Sequence, residues 1–198
     1  MSESPLPYVR SVDLMSREDS RLLIVDMQQK LLPFIATAPQ VIANCCTLVK
    51  AARLLGPPVF ATEQYPKGLG GTAPELAALL DERPDKFRFS CAEVLGWGES
   101  SLHAHRQVVV AGIEAHVCVL QTTFDLLAAG FEVFVVADAV GSRSELDWRI
   151  ALDRMAGGGA VITTTESVLF EWCETSDAPE FKQISQLVKD RTARAVLS

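Results

Sequence analysis

The sequence has 198 residues, of which 48% are hydrophobic, enough to fill the core of one domain without metal or disulfide cross-links. Its net charge of -7 opposes binding to phosphate backbones and to anionic membrane surfaces, so we expect neither nucleic acid nor a membrane as a partner. No apolar run approaches the roughly 20 residues that span a bilayer. We expect a single domain over residues 1–198, with residues 1–18, which resemble neither a signal nor a transit peptide, as a loosely ordered extension.

The cysteines and histidines argue against a metal site or a disulfide framework. Five cysteines are odd in number and irregularly spaced, which favours a reducing, cytoplasmic compartment. Three histidines occur, without any Cys-x-x-Cys or His-x-x-x-His pair, so a zinc site is not indicated. We therefore expect neither a bound metal nor a cofactor.

Short apolar runs rich in valine and isoleucine alternate with segments of helical periodicity. In chain order, the sequence predicts a strand at 21–26, a helix at 40–55, strands at 58–62 and 107–112, a helix at 116–129, a strand at 132–137, a helix at 145–155 and a strand at 160–163. This pattern is typical of an α/β fold with a buried parallel sheet and crossover helices. Ligands of such sheets bind at the carboxyl ends of the strands, where the strand order reverses.

Residues 63–90, called the flap below, form the longest irregular stretch between predicted elements. Three prolines and three glycines within it predict a loop without regular structure. Loops of this length in a compact domain are usually functional or disordered. The embedded Tyr65, Leu69 and Phe87 favour an ordered flap that covers a site.

Asp26 directly follows four apolar residues at the carboxyl end of the first predicted strand. Catalytic groups of parallel sheets lie at such positions. An aspartate there can equally serve only to cap the following turn. Asp26 alone does not distinguish these two roles.

Cys118 follows the strand at 107–112 and precedes an apolar-striped helix. In the first turn of a helix, unpaired amides and the helix dipole favour a thiolate, the reactive form of cysteine, and can bind an oxyanion. The alternative is a small buried hydrophobic residue, as most free cysteines are. His116 lies two positions away on the same turn, so its side chain points elsewhere and we assign it to the rim.

Lys86 lies in a stretch of alternating apolar residues, which suggests a short extended piece near the sheet. A lysine in this position is usually exposed to solvent. If its ammonium instead points between Asp26 and Cys118, its charge would stabilise a thiolate and orient the carboxylate.

Three dispersed motifs resemble the isochorismatase-like (cysteine hydrolase) superfamily. They are VDMQ at 25–28, Lys86 followed by FS at 89–90, and GIEAHVC at 112–118. The sequence TEQYPKGLG at 62–70 further resembles the isochorismatase domain-containing proteins, a branch with poorly defined substrates. The resemblance extends from about residue 21 to the helix after residue 181. It implies one Rossmann-type domain of three layers, with about six parallel strands and helices on both faces.

The resemblance implies a catalytic triad of Asp26, Lys86 and Cys118. Asp26 would take the thiol proton, Lys86 would stabilise charge, and Cys118 would form a thioacyl-enzyme that water hydrolyses. It also implies a cis peptide between Ile113 and Glu114 and an oxyanion hole from the amides of Glu114 and Cys118. The substrate-binding residues that we predict in these motifs are Gln28, Gln64, Tyr65 and Ala115.

Departures from other members of the superfamily narrow the expected function. Nicotinamidases bind a metal through an aspartate and several histidines before the lysine, yet residues 27–85 contain no histidine. Isochorismatases act on a vinyl ether and lack the nucleophilic cysteine, which is present here as Cys118. A metal-independent hydrolase of a small amide or related C–N bond is favoured. Two alternatives stay open: a vinyl-ether hydrolase of the isochorismate type and a non-catalytic metabolite-binding or scaffold protein.

Assembly is a further implication, because the family commonly forms homo-oligomers. We expect at least a dimer, with exposed apolar positions near Trp148 or Trp172 as interface anchors. The partner in catalysis would be a small molecule, held by walls from the flap and from a neighbouring subunit.

Overall fold

Continuous runs of buried residues form the two central strands of a parallel sheet. The structure, a computed structural model, describes residues 8–98, 101 and 103–197, so residues 1–7 of the predicted extension lie outside the described residues. Within them, the strands of the six-stranded sheet are β1 Ser20–Val25, β2 Val59–Gln64, β3 Asp85–Lys86, β4 Gln107–Ile113, β5 Glu132–Gly141 and β6 Val161–Thr163. The α-helices are α1 Ala38–Leu55, α2 Pro66–Leu69, α3 Pro74–Ala77, α4 Ala92–Leu95, α5 Leu120–Ala128, α6 Glu145–Gly157, α7 Thr165–Cys173 and α8 Phe181–Leu197.

The sheet reverses its strand order at β1. The order is β3-β2-β1-β4-β5-β6, and all neighbouring strands are parallel. Val25, the last residue of β1, pairs with Thr62 of β2 and with Gly112 of β4. The residues that follow these strands therefore lie side by side at the reversal, where ligands of such folds bind. The predicted α/β class, with one parallel sheet of six strands between two helical layers, is confirmed.

Helices cover both faces of the sheet because successive side chains of each strand point to opposite faces. Leu22 and Ile24 of β1 belong to the apolar core shared with α1 and α7. Leu23 and Val25 belong to the opposite core, shared with α5 and α6. Each fully buried leucine, isoleucine or valine contributes about 1.5–3 kcal/mol relative to an exposed one, so both faces of the central strand stabilise the sheet.

The prediction that the flap lacks regular structure is wrong. It contains α2, α3 and β3, and its prolines help to start the helices, because Pro66 and Pro74 occupy the first positions of α2 and α3. Proline is favourable there, since its missing N–H has no helical partner to lose. β3 pairs with β2 at Glu63 with Asp85 and at Gln64 with Lys86. The flap thus adds an edge strand that fixes the backbone of Lys86.

The segment before β1 packs against α7. The guanidinium of Arg10 donates to the backbone oxygen of Glu171 at 2.7 Å, and the N–H of Met15 donates to the Glu171 carboxylate at 2.8 Å. The Met15 side chain is fully buried. Residues 10 to 15 are therefore held on the domain surface by both polar and apolar contacts.

The two tryptophans near the expected interface positions are themselves buried or half-buried. Trp172 is fully buried in the core, but Phe170, two positions before it, is 41% exposed, so an exposed apolar side chain does lie near Trp172. Trp148 is half-buried, and its indole N–H donates to the backbone oxygen of Val140 at 3.2 Å.

Among the described helices, none has the length and apolar character that a membrane crossing requires.

Candidate active site

Asp26 lies at the sheet reversal, immediately after β1. Its side chain is fully buried, and its backbone adopts a φ of 48°, an uncommon value outside glycine. The backbone N–H of Asp26 donates to the backbone oxygen of Thr62 at 3.2 Å, and the backbone oxygen of Asp26 accepts from the Gln28 N–H at 2.7 Å. The turn thus directs the Asp26 carboxylate into the protein interior. A carboxylate that only caps a turn does not need to be buried in this way.

Lys86 is buried and forms an ion pair with Asp26. Its Nζ lies 2.7 Å from Oδ2 of Asp26, and the two side chains are 1% and 0% exposed. Burial lowers the pKa of Lys86, but the charge and hydrogen bond of Asp26, together with Cys91 and Cys118, outweigh this and raise it, so the ammonium is charged at neutral pH. The usual solvent-exposed position of a lysine does not apply to Lys86.

The Lys86 ammonium is surrounded by oxygen atoms. Besides the carboxylate of Asp26, its partners are Oε1 of Gln64 at 2.7 Å, the backbone oxygen of Phe89 at 2.7 Å and that of Arg88 at 3.2 Å. An ammonium has three donors. The protein itself therefore occupies all of them, and Lys86 has none left for an anionic ligand.

Cys118 lies in a π-helical segment, Ala115–Val119, that connects β4 to α5. The predicted first turn of an α-helix is therefore a wider turn, a form frequent at functional sites. The Cys118 side chain is buried, at 6% exposure. Burial raises the pKa of its thiol, and the charge of Asp26 raises it further despite the opposing effect of Lys86. The expected thiolate is not supported: at neutral pH the sulfur carries its proton.

The Asp26 carboxyl has the properties of a base for this thiol. Burial raises its pKa, while Lys86 and hydrogen bonds from Cys118 and Thr62 act in the opposite direction. A base whose pKa lies nearer to neutrality takes up a proton more readily and still returns it. Asp26 thus combines a carboxyl whose pKa is raised by burial with a neighbouring ammonium that can balance its charge.

Glu114 ties the π-helical segment to the end of β5. It follows Ile113 through a cis peptide bond, and its carboxylate accepts from Nε of Arg143 at 3.0 Å, from Nη2 at 2.6 Å and from the Arg143 backbone N–H at 3.1 Å. His116 makes a second link, with Nδ1 3.0 Å from Oγ of Ser142. Glu114 and the π-helical segment therefore follow β4 in the chain and are also held to the end of β5 by these side-chain contacts.

The predicted substrate-binding residues have mainly internal contacts. The Gln28 amide donates to the backbone oxygens of Gln64 and Gly70 at 3.0 and 2.6 Å and accepts from the Gln64 N–H at 2.8 Å. Ala115 is fully buried. Gln28 and Gln64 therefore hold the flap and Lys86 in place, and these contacts do not support direct binding of substrate.

Tyr65 differs from the other three, because its side chain is 47% exposed. It packs against Phe87, with ring centroids 5.9 Å apart, and its N–H donates to the backbone oxygen of Lys86 at 3.0 Å. Tyr65 is thus the predicted substrate-binding residue that faces solvent beside Lys86.

Three contributors were missed by the sequence analysis. Thr62 and Cys91 contact the buried carboxylate region, and Arg143 holds Glu114. Thr62 ends the predicted strand at 58–62, and Arg143 lies two residues after β5, so both lie near carboxyl ends of strands, the signal that singled out Asp26. Cys91 carries no comparable signal. Among the described residues, no group of three or more His, Cys, Asp or Glu side chains could hold a metal ion.

Arg143→Met is expected to lower the free energy of unfolding by about 2 kcal/mol at pH 7, because the buried Glu114 carboxylate loses charge-assisted hydrogen bonds. Burial raises the pKa of Glu114, but Arg143 outweighs it and lowers the pKa. The stabilisation is therefore complete above the unfolded pKa of about 4.3 and is lost as pH falls through the lower folded pKa. Urea unfolding at several pH values measures the difference.

Arg149→Met is the matched control, because Arg149 is exposed on α6. Its change in the free energy of unfolding should stay within about 0.5 kcal/mol. A loss in Arg143→Met that is the same at pH 7 and at pH 3 would contradict the role of the Glu114 charge.

Comparison with known proteins matches the region that contains the site. A family model described as "Isochorismatase domain" matches residues 20–167, a range that includes Asp26, Lys86 and Cys118. Isochorismatase domain-containing protein 2 of Danio rerio is 42% identical over 175 residues, which cover 88% of this chain and 89% of that protein.

Solved structures give the same picture of the fold. A structure described as MAR1 ribonuclease from Caenorhabditis elegans is 42% identical, with a TM-score of 0.83, and the match covers 88% of this chain and 92% of that one. The YcaC gene product of Escherichia coli, described as an octameric hydrolase of unknown specificity, is 24% identical with a TM-score of 0.75, covering 98% of this chain and 100% of that one. At the latter identity, the likeness supports the fold alone.

Proposed function

This chain belongs to the isochorismatase family, and from that premise we propose that it is a cysteine hydrolase of a small, uncharged amide or related C–N bond. The observation that carries the proposal is the buried ion pair between Asp26 and Lys86, at 2.7 Å, beside the thiol of Cys118. A buried ion pair is costly to maintain. A neighbouring thiol, whose pKa is raised by burial and by the charge of Asp26, gives this pair a chemical use.

The proposed reaction begins with proton transfer from Cys118 to Asp26. The sulfur attacks the substrate carbonyl carbon, and the backbone amides of Glu114 and Cys118 bind the oxyanion. The C–N bond then breaks, and the leaving amine takes the proton from Asp26. Water, deprotonated by Asp26, attacks the thioester, which releases a carboxylic acid and restores the thiol. Lys86 remains charged throughout and stabilises the carboxylate.

An uncharged substrate is favoured by the contacts of Lys86. Its donors are occupied by oxygen atoms of the protein, so it offers no site for the carboxylates of isochorismate. The Arg143 guanidinium is likewise engaged with Glu114. Vinyl-ether hydrolysis of the isochorismate type is therefore the weaker alternative, and pyruvate release from isochorismate that persists in Cys118→Ala would support it instead.

The name of the Caenorhabditis elegans structure describes a ribonuclease, but we do not extend that activity to this chain. A net charge of -7 opposes the approach of a polyphosphate. Single-stranded RNA nevertheless belongs in the substrate panel. Its cleavage by the purified protein, lost in Cys118→Ala, would overturn the assignment to small amides.

Cys118→Ala is expected to lower the turnover of any small amide that the protein hydrolyses by at least about 10³-fold, because no other group supplies the nucleophile. Cys173→Ala removes a buried thiol of α7 and is the matched control, with turnover expected near that of the unchanged protein. A panel of small amides, followed by amine release, measures both. Equal turnover in Cys118→Ala and the unchanged protein would contradict the proposal.

We also propose that the chain forms a homo-oligomer. Leu146 and Ile150 of α6 are 58% and 46% exposed, and Phe170 of α7 is 41% exposed, and such side chains are typical of subunit interfaces. Light scattering at micromolar concentration should give a mass of at least a dimer. A mass of about one chain would contradict assembly without affecting the proposed chemistry.

A further inference from the structure

The two oxygen atoms of the Asp26 carboxylate have different partners. Oδ2 faces the ammonium of Lys86 at 2.7 Å, and Oδ1 accepts a hydrogen bond from Oγ1 of Thr62 at 2.8 Å. Both Asp26 and Thr62 are buried. Thr62 thereby fixes the rotation of the carboxylate. Oδ2 then faces the Lys86 ammonium and remains available to the reacting groups.

Cys91 extends this contact by one further group. Its Sγ lies 3.2 Å from Oγ1 of Thr62, and its backbone N–H donates to Oγ1 of Thr122 at 2.9 Å, which fixes its position. A threonine hydroxyl has a single proton. Because that proton is donated to Asp26, the Cys91 thiol must donate its own proton to the Thr62 oxygen.

We propose that Cys91 and Thr62 are positioning residues that form a chain of hydrogen bonds, from the Cys91 thiol to the Thr62 hydroxyl to Oδ1 of Asp26, and hold the general base. In this arrangement Cys91 is a proton-bearing donor and not a second nucleophile. A hydroxyl that accepts a hydrogen bond becomes a stronger donor, so Cys91 strengthens the bond from Thr62. The inference rests on the proposed function in assigning Asp26 the role of base.

The charge states of the surrounding groups support this direction. Burial raises the pKa of Cys91 to about 11, so it keeps its proton at neutral pH. The titratable groups facing Asp26 are Lys86 from β3, Cys118 from the π-helical segment and Cys91 from the start of α4. Hydrogen bonding from Thr62 lowers the pKa of Asp26, because it stabilises the ionised carboxylate.

The test follows the Asp26 carboxyl directly, by a carbon-13 NMR titration of protein labelled at aspartate Cγ, with Asp26→Asn identifying the signal. Thr62→Val, which keeps the shape but removes the hydroxyl, should raise the midpoint by about one pH unit. Cys91→Ala should raise it by a smaller amount in the same direction. Thr62→Ser and Cys91→Ser retain the donors and should restore midpoints close to that of the unchanged protein.

Coincident titration curves for Thr62→Val and the unchanged protein would overturn the inference, as would a shift that Thr62→Ser fails to reverse. Circular dichroism spectra that superpose would show that each variant is folded. The rate of Cys118 alkylation by iodoacetamide, resolved by peptide mass and recorded against pH, provides the second readout. Its acidic limb should move with the NMR midpoint.

The two proposals fail in different ways. If Cys118 is alkylated no faster than Cys173 in the unchanged protein, the proposed nucleophile is wrong, whereas the NMR titration still decides the role of Thr62. If Cys118 is selectively alkylated but the midpoints coincide, the nucleophile stands and the hydrogen-bond chain is wrong.

Discussion

Lys86→Met should lower the free energy of unfolding by about 3–5 kcal/mol and the rate of Cys118 alkylation by at least about 10²-fold. Removing one partner of a buried ion pair leaves an uncompensated charge, which is strongly destabilising. Asp26 is fully buried, so water cannot replace the ammonium at 2.7 Å. The alkylation rate falls because no cation balances the charge that moves between sulfur and carboxylate. Urea unfolding and peptide mass spectrometry measure the two effects.

The loss of stability in Lys86→Met should depend on pH. Burial raises the folded-state pKa of Asp26, and without Lys86 nothing of comparable strength opposes it. The folded variant then binds a proton that the unfolded chain, with an aspartate pKa of about 3.9, releases. Its stability therefore decreases as pH rises from about 4 through the raised folded pKa. A variant equally destabilised at pH 5 and pH 8 would contradict this account.

Two further variants separate charge from packing. Lys50→Met replaces an exposed lysine on α1 and should change the free energy of unfolding by no more than about 0.5 kcal/mol. Asp26→Asn combined with Lys86→Met removes both charges and should recover part of the stability lost in Lys86→Met alone. If the double variant is less stable than either single variant, burial of unpaired charge is not the cause.

Gly112→Ala should destabilise the protein by more than about 4 kcal/mol or prevent folding. A Cβ at this position would lie 2.1 Å from the backbone oxygen of Val25, and Gly112 has a φ of 120°. Neither the clash with backbone nor the conformation can be relieved by a side-chain movement. Because Val25 immediately precedes Asp26, any displacement of β1 also moves the carboxylate away from Lys86. Thermal unfolding and Cys118 alkylation test both consequences.

Gly159→Ala separates the two causes. Gly159 has a similar φ of 104°, but an added Cβ would meet no atom within 4 Å. Only the conformational strain of about 1–3 kcal/mol should appear, without loss of alkylation at Cys118. Similar losses of stability in the two variants would contradict the importance of the close approach between β1 and β4.

The sequence was sufficient for five of the six strands and for the positions of Asp26 and Cys118 after strand ends. The apolar runs before Asp26 and Cys118 predict strand ends, and parallel strands bring their carboxyl ends to one edge of the sheet. The strand that carries Lys86 was harder to predict, because β3 has two residues and depends on pairing with β2. Short edge strands are determined by tertiary contacts, which local periodicity does not record.

The protonation of the site could not be predicted from the sequence. A cysteine at the start of a helix is expected to ionise, whereas burial and the charge of Asp26 raise the pKa of Cys118. The magnitude of burial depends on how the two helical layers close over the site. Gln28 and Gln64 show the same limitation, since they were assigned to substrate from their place in the family motifs, whereas the fold uses the Gln28 amide to hold the flap and the Gln64 amide to hold Lys86.

The central position of β1 has a consequence for the order in which the parts of the candidate site come together during folding. β1 pairs with β2 on one side, but on the other side Ser20 pairs with Gln107 of β4, which is synthesised much later. Contacts between such distant segments form slowly, so a nascent chain that stops before β4 holds an acid without its thiol. If Cys118 is the proposed nucleophile, its reactivity should therefore arise only when β4 joins the sheet, and the alkylation rate of Cys118 during refolding should follow the final folding step.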